Sequence, residues 1–277
     1  MTEPKITLEL LQKKKAAHEK IIMLTAADYP IARLADASGA DIILVGDSLG
    51  MAVLGLPSTT SLTLEEMLHH TKAVVRAISY ALVITDLPFG SYQLGPQQAL
   101  ISAIRLIKES GVQGVKLEGG QNQAEVIAAL TGAGIPVMAH IGLLPQTVSL
   151  GRAYRSQGKD AAGAQVLLQA ALAVEAAGAF ALVLECVTSQ TAALITSKLR
   201  IPTIGIGSGP SCDGQVLVSN DLLGLTQGHI PKFVRQFANL SQQIEEAFTA
   251  FGSQVRKGEF PAPEHSFTAS EEIEKLY

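Results

Sequence analysis

Five polar side chains in this chain stand at the ends of short apolar runs: Asp47, Asp86, Glu118, His140 and Glu185. The runs are Ile42-Ile43-Leu44-Val45-Gly46, Ala81-Leu82-Val83-Ile84-Thr85, 112–117, 135–139 and Phe180-Ala181-Leu182-Val183-Leu184. Continuous aliphatic sequence of that length suits strands buried on both faces, as in a parallel sheet. Gly46 lets the backbone turn where Asp47 emerges. A single Asp beyond a strand is an ordinary loop residue, so the recurrence carries the meaning. Neighbouring strands lie about 4.8 Å apart, which spreads Asp47, Asp86 and Glu118, on the second, third and fourth strands, along an arc of roughly 10 Å. Carboxylates that close repel one another unless a cation sits among them. Three oxygen donors without Cys or His favour Mg²⁺ over zinc, and Mg²⁺ keeps waters that a substrate can displace. Glu118 is the member that suits binding through such a water.

Lys116 shares a strand face with Glu118, two positions on. It can neutralise Glu118, or it can meet a substrate carboxylate with Ser48 donating a hydrogen bond beside it. A 2-oxo acid chelating the ion through its carbonyl and one carboxylate oxygen fits this set. A metal on that carbonyl acidifies the neighbouring C–H by stabilising the enolate. Taking the proton requires a base. Glu185 reaches the same end from the sixth strand, across the ring from the three carboxylates, and the apolar run before it predicts a desolvated carboxyl with a raised pKa. His140 has two readings, a rival base on the substrate side or a structural group in the strand end. His69 and His70, on one helix without a nearby partner, read as structural or solvated.

The elements that must position these groups alternate in type. Strands are expected over 21–24, 41–46, 81–84, 112–117, 135–139, 180–184, 201–206 and 216–218, with helices over 7–17, 31–38, 63–78, 97–110, 123–131 and 161–177. Such βα units build either an open doubly wound sheet or a closed eight-stranded barrel. An open sheet gathers loops from about two strands at its switch point, whereas polar groups here follow strands two to six. Only a ring collects them all, at the C-terminal mouth where barrel enzymes keep their sites. Gly205 to Gly209 neither follows the first strand nor completes the dinucleotide fingerprint. Segment 147–160, polar and glycine-containing, reads as a flap over the mouth.

Composition agrees with one such domain over 1–277, carrying an N-terminal helix within 1–20 and a helical extension over 241–277 packed on it. Of the 277 residues 47% are hydrophobic, enough for a large core. With 21 Lys plus Arg against 25 Asp plus Glu, the net charge of −4 offers no basic surface for nucleic acid or anionic membrane. Two cysteines, Cys186 and Cys212, give no disulfide framework, and neither a secretory signal nor a membrane span is apparent, so a cytoplasmic home is expected. Cys186 should point to the helix layer, opposite to Glu185. In the extension, Ile244, Phe248, Phe251 and Val255 form one apolar face for the barrel or a neighbouring subunit, and Phe260-Pro261-Ala262-Pro263 ends it.

Taken together, Val45-Gly46-Asp47-Ser48-Leu49-Gly50-Met51, Leu87-Pro88-Phe89-Gly90-Ser91-Tyr92, Val115-Lys116-Leu117-Glu118-Gly119-Gly120, His140-Ile141-Gly142-Leu143 with Pro145-Gln146, Leu184-Glu185-Cys186, Ile204-Gly205-Ile206-Gly207 and Asp213-Gly214-Gln215 resemble the ketopantoate hydroxymethyltransferase family, from about residue 5 to 267. The resemblance implies a (β/α)₈ TIM barrel of the phosphoenolpyruvate/pyruvate-binding type, assembled as a homodecamer. It implies transfer of a one-carbon unit from 5,10-methylenetetrahydrofolate to 3-methyl-2-oxobutanoate, giving 2-dehydropantoate in pantothenate synthesis. At the matching positions it implies Asp47 and Asp86 as Mg²⁺ ligands bordering the keto acid, Glu118 as third member of the metal site, Ser48 and Lys116 as keto-acid contacts, and Glu185 as proton acceptor. There are three departures from the family pattern: Arg152-Ala153 before Tyr154, where two glycines are usual, Thr188 in place of proline, and Ser208 in place of alanine. The alternatives are a Mg²⁺-dependent carbon–carbon lyase or mutase acting on a 2-oxo acid without folate, and a silent barrel whose Gly205 to Gly209 loop binds an anion.

Overall fold

The structure is a computed structural model that describes residues 4–148 and 155–269. Eight strands, β1 Ile21–Thr25, β2 Ile42–Val45, β3 Leu82–Asp86, β4 Gly114–Glu118, β5 Val137–Gly142, β6 Ala181–Glu185, β7 Thr203–Ile206 and β8 Gly214–Leu217, pair in parallel and in order around a closed barrel. The expected TIM barrel is therefore what forms. Alternation of side chains across the strands divides its core in two. Ile21, Met23, Ile42, Leu44, Leu82, Ile84, Met138, Val183 and Ile204 point inward and fill the lower barrel. Ile43, Val45, Val83, Val115, Leu117, Val137 and Leu182 belong to the outer layer packed with the helices. Further along the inward set, towards the strand C-termini, come Lys116, Glu118 and His140 in place of aliphatics, all buried.

Helix starts follow local chemistry. Asp28 and Asp160 accept from the backbone N–H three residues on, and Thr63 with Glu66 forms a reciprocal capping box ahead of Leu64–Ala77. Helix Leu8–Ala16 serves the other end of the barrel. Ile6 and Leu11 join the inner cluster, while Lys14 pairs with Asp41 and Lys15 with Asp213, each at 2.7 Å. Asp213 in turn accepts from the Thr203 backbone N–H at 2.8 Å.

Several expected boundaries change. β5 extends through Gly142, which places His140 inside the strand and not in the loop after it, because its backbone continues in register with β6. β8 is Gly214–Leu217, earlier than 216–218, since Gly214 pairs across to Ile21 and Ile204. Helix Ser189–Lys198, with Ala192 and Ile195 buried, was not apparent in its Ser/Thr/Gln-rich sequence. Residues 149–154, and with them Arg152-Ala153-Tyr154 and much of the expected flap, lie outside the described residues.

By compactness the chain forms two units, the barrel (to Ser219, with Ile230–Val234) and a smaller one made of Asn220–His229 and the residues from Arg235 on. In the latter, helix Leu240–Lys257 ends at Gly258, whose φ of 72° is the left-handed cap glycine favours. Ile244, Phe248, Phe251 and Val255 lie exposed along it.

Candidate active site

Strand register decides which side chains meet at the mouth. Asp86 on β3 is opposite Lys116 on β4, and Glu118 on β4 is opposite His140 on β5. Lys116 Nζ accordingly lies 2.9 Å from Asp86 Oδ1. The expected pairing of Lys116 with Glu118 gives way to this one, because the stagger between β3 and β4 brings Asp86 level with the lysine. Asp47 sits just beyond β2, and its backbone N–H donates to Asp86 Oδ2 at 2.9 Å. Gly46 achieves this without a left-handed φ; a Cβ there would stand 3.2 Å from Ser48 Oγ and 3.5 Å from Asp86 Oδ2, so the glycine provides close approach and not a special turn. Ser48 is half-buried at the head of the short helix Leu49–Ala52, and its hydroxyl makes no cap bond.

Glu185 is closer to the cluster than expected. Its Oε2 lies 3.2 Å from His140 Nε2, although the ring is not aligned for a good hydrogen bond, and His140 Nδ1 is 3.8 Å from Glu118 Oε1. One imidazole thus links the two sets of carboxylates. Lys116 Nζ is also 3.4 Å from His140 Nδ1. An ammonium only donates, so Nδ1 is the acceptor and the ring proton is on Nε2, towards Glu185. Burial, then the Lys116 charge, hold the His140 pKa below the ordinary imidazole range. His140 thus stands between Lys116 on one side and Glu185 on the other, with its Nδ1 facing the lysine.

The cluster carries more negative charge than it can offset. Burial first, and Asp47 after it, push the Asp86 carboxyl up to about 6 against the pull of Lys116. Burial, then Asp47, likewise hold Glu118 well above its ordinary value. For Lys116, burial opposes the charge but Asp86, Glu118 and Asp47 together outweigh it, so its pKa rises. A pH dependence follows. Between about 4 and 6 the folded protein holds a proton on Asp86 that the unfolded chain has lost, so in chelator this group's contribution to stability falls as pH rises through that window and levels off above it. Urea midpoints of wild type and Asp86→Asn measured from pH 4.5 to 7 are expected to diverge in that sense; parallel curves would go against it.

Two residues without an assigned role complete the site. Gln146, on the short helix Pro145–Val148 after β5, donates from Nε2 to Asp47 Oδ2 (2.9 Å) and Leu87 O (3.0 Å), and from its backbone N–H to Glu118 Oε2 (3.0 Å). Tyr92 donates from its hydroxyl to Gln146 Oε1 at 2.6 Å. Their only sign in the sequence was membership of two motifs, since uncharged residues on loops announce no chemistry. Ser208, one of the three departures, donates to Leu184 O (2.7 Å) and accepts from Val187 N–H (3.1 Å), so it braces the backbone on both sides of Glu185. Cys186 lies between them with a positive φ of 52°; burial and then Glu185 push its thiol up to about 11, which keeps it protonated and unreactive at neutral pH. His70 is structural, its Nδ1 2.6 Å from Ala27 O.

The barrel with acids gathered at its C-terminal mouth defines the class first. Phosphonopyruvate hydrolase, solved with oxalate and Mg, aligns with a TM-score of 0.60 at 14% identity over 98% of this chain and 94% of that one. A 2,3-dimethylmalate lyase of the PEP mutase/isocitrate lyase superfamily aligns at 0.59 and 17% identity over 94% and 93%. These structures share the fold of this chain, a closed barrel of eight parallel strands. Within that class the sequence is specific: the ketopantoate hydroxymethyltransferase profile matches residues 5–263. The 3-methyl-2-oxobutanoate hydroxymethyltransferases of Carboxydothermus hydrogenoformans (53% identical, 99% of each chain) and Moorella thermoacetica (55%, covering 95% of this chain and 98% of that one) are similar throughout. The chain belongs to the ketopantoate hydroxymethyltransferase family, and as a member it is a hydroxymethyltransferase enzyme of pantothenate biosynthesis. Among the described residues no helix is long and apolar enough to cross a membrane.

Proposed function

We propose that this site transfers a hydroxymethyl group to 3-methyl-2-oxobutanoate, with 5,10-methylenetetrahydrofolate as donor and Mg²⁺ held by Asp47 and Asp86, Glu118 reaching it through a water. By atom balance the keto acid, the donor and one water give 2-dehydropantoate and tetrahydrofolate. The observation that carries the reading is the buried excess of negative charge, three carboxylates facing one lysine with two of them pushed towards protonation. Among the described residues no three His, Cys, Asp or Glu side chains form a ready-made cage. That fits Mg²⁺, which takes one or two carboxylates and completes its shell with water and substrate. Bound there, Mg²⁺ would polarise the 2-oxo carbonyl and acidify C3.

The protein's own groups do the rest. Lys116 is placed to share its charge between Asp86 and the substrate carboxylate, and the uncommitted Ser48 hydroxyl is placed to donate beside it. Glu185 takes the C3 proton; the electron pair of that C–H bond then forms the new bond to the one-carbon unit. His140, with its Nε2 3.2 Å from Glu185 Oε2 and its Nδ1 facing Lys116, sits beside the base in this reading and does not replace it. The exposed apolar stripe Ile244, Phe248, Phe251 and Val255 supports a homo-oligomer, with the homodecamer as our reading.

Incubation with Mg²⁺ and 3-methyl-2-oxobutanoate in D₂O is expected to exchange C3 deuterium, and adding methylenetetrahydrofolate to yield the hydroxymethyl product. Absence of exchange would sink the proton-abstraction mechanism, and exchange without product would favour a lyase or mutase. Asp86→Asn is expected to weaken Mg²⁺ by calorimetry by more than the 10- to 100-fold typical of outer-shell losses. Unchanged affinity would remove Asp86 as a ligand.

A further inference from the structure

Each carboxylate of the cluster has one oxygen already committed to a neutral N–H donor. Asp86 Oδ2 accepts from the Asp47 backbone, Glu118 Oε2 from the Gln146 backbone, and Asp47 Oδ2 from the Gln146 side chain. Gln146 therefore takes two of the three committed oxygens by itself. Its amide cannot turn over: Leu87 O can only accept, which fixes Nε2, and Tyr92 fixes Oε1. Both side chains are 2% exposed, so water does not loosen the arrangement. Each carboxylate thus has one oxygen without a neutral N–H donor on it to offer a cation, while the other is held in orientation by its donor, and Asp86 Oδ1 is shared with Lys116.

We infer that Gln146, held by Tyr92, is a positioning residue that enforces monodentate coordination and so makes the site discriminate against Ca²⁺. The inference rests on the metal reading proposed above. Mg²⁺ needs six oxygens at 2.0–2.1 Å and readily takes half of them from water or substrate, whereas Ca²⁺ seeks six to eight at 2.3–2.6 Å, often with both oxygens of a carboxylate. Pinning the second oxygen costs Mg²⁺ nothing and denies Ca²⁺ its preferred mode. Gln146→Leu frees Asp47 Oδ2 while keeping the backbone N–H on Glu118. Tyr92→Phe leaves the amide in place but removes the shorter of the two donors to Oε1, with Gln93 Nε2 remaining at 3.4 Å.

The test is calorimetric titration of the full chain with Mg²⁺ and with Ca²⁺. Wild type is expected to prefer Mg²⁺, Gln146→Leu to shift the ratio of dissociation constants about tenfold or more towards Ca²⁺, and Tyr92→Phe to shift it the same way by less. A role confined to folding would weaken both ions alike and leave the ratio unmoved. An unmoved ratio in both variants, with Asp47→Asn still weakening Mg²⁺, overturns the inference and spares the metal reading. Mg²⁺ binding that is absent in wild type, or indifferent to Asp47→Asn, overturns both. Should circular dichroism show Gln146→Leu unfolded, Tyr92→Phe decides, an unshifted ratio counting against us.

Discussion

Glu185→Gln is expected to lower C3 deuterium exchange by about 10²- to 10⁴-fold, the usual weight of a positioned base, while Mg²⁺ affinity stays within about twofold. The amide keeps the shape of the carboxylate and its proximity to His140, so the loss reports basicity and not packing. The neighbouring His140 is what makes this result informative. Its Nδ1 faces Lys116 at 3.4 Å and its Nε2 faces Glu185 at 3.2 Å, so in this reading it borders the base without acting as one. Exchange that survived Glu185→Gln would move the base to His140 or a water, and with it the role of Glu185 in the mechanism.

Lys116→Met removes the cation that faces Asp86 and sits among all three carboxylates. Breaking a buried pair by deleting one partner typically costs about 3–5 kcal/mol, because the remaining charge has no solvent to fall back on. In a chain of this size each kcal/mol lowers the melting temperature by about 2–4 °C, so a fall on the order of 10 °C is expected at pH 8. The deficit should shrink at pH 5, where the Asp86 carboxyl, already pushed up to about 6 in the wild type, can protonate instead. Added Mg²⁺ should restore part of it by supplying the lost positive charge. A melting temperature unchanged at pH 8 would show the pair to be dispensable.

The parts of this site that could be read in the sequence are those whose position follows from one strand's own period. Asp47, Asp86, Glu118 and Glu185 each close an apolar run, and a ring is the geometry that brings four run-ends together. The partner of Lys116 was not legible in that way, since it depends on the stagger between β3 and β4, which neither strand encodes alone. Gln146 and Tyr92 were hidden for a different reason: their importance is a set of hydrogen bonds to residues 26 to 99 positions away, invisible before the fold exists. Ser208 reads as a conservative exchange because its hydroxyl acts on the backbone around Glu185, where no side-chain motif would register it.

The ion pair between Lys15 and Asp213 also bears on how the chain is made. The helix that closes one end of the barrel is synthesised well before its partner aspartate, which comes 198 residues after Lys15, with the β8 edge that β1 pairs with a little further on. At about 5–20 residues per second the ribosome needs on the order of 10–40 s to deliver it. Through that interval the edge of β1 that faces β8 has no strand to pair with. The emerging chain is in this respect an open sheet with an adhesive margin, and the last-formed contacts of the barrel are those that end its exposure.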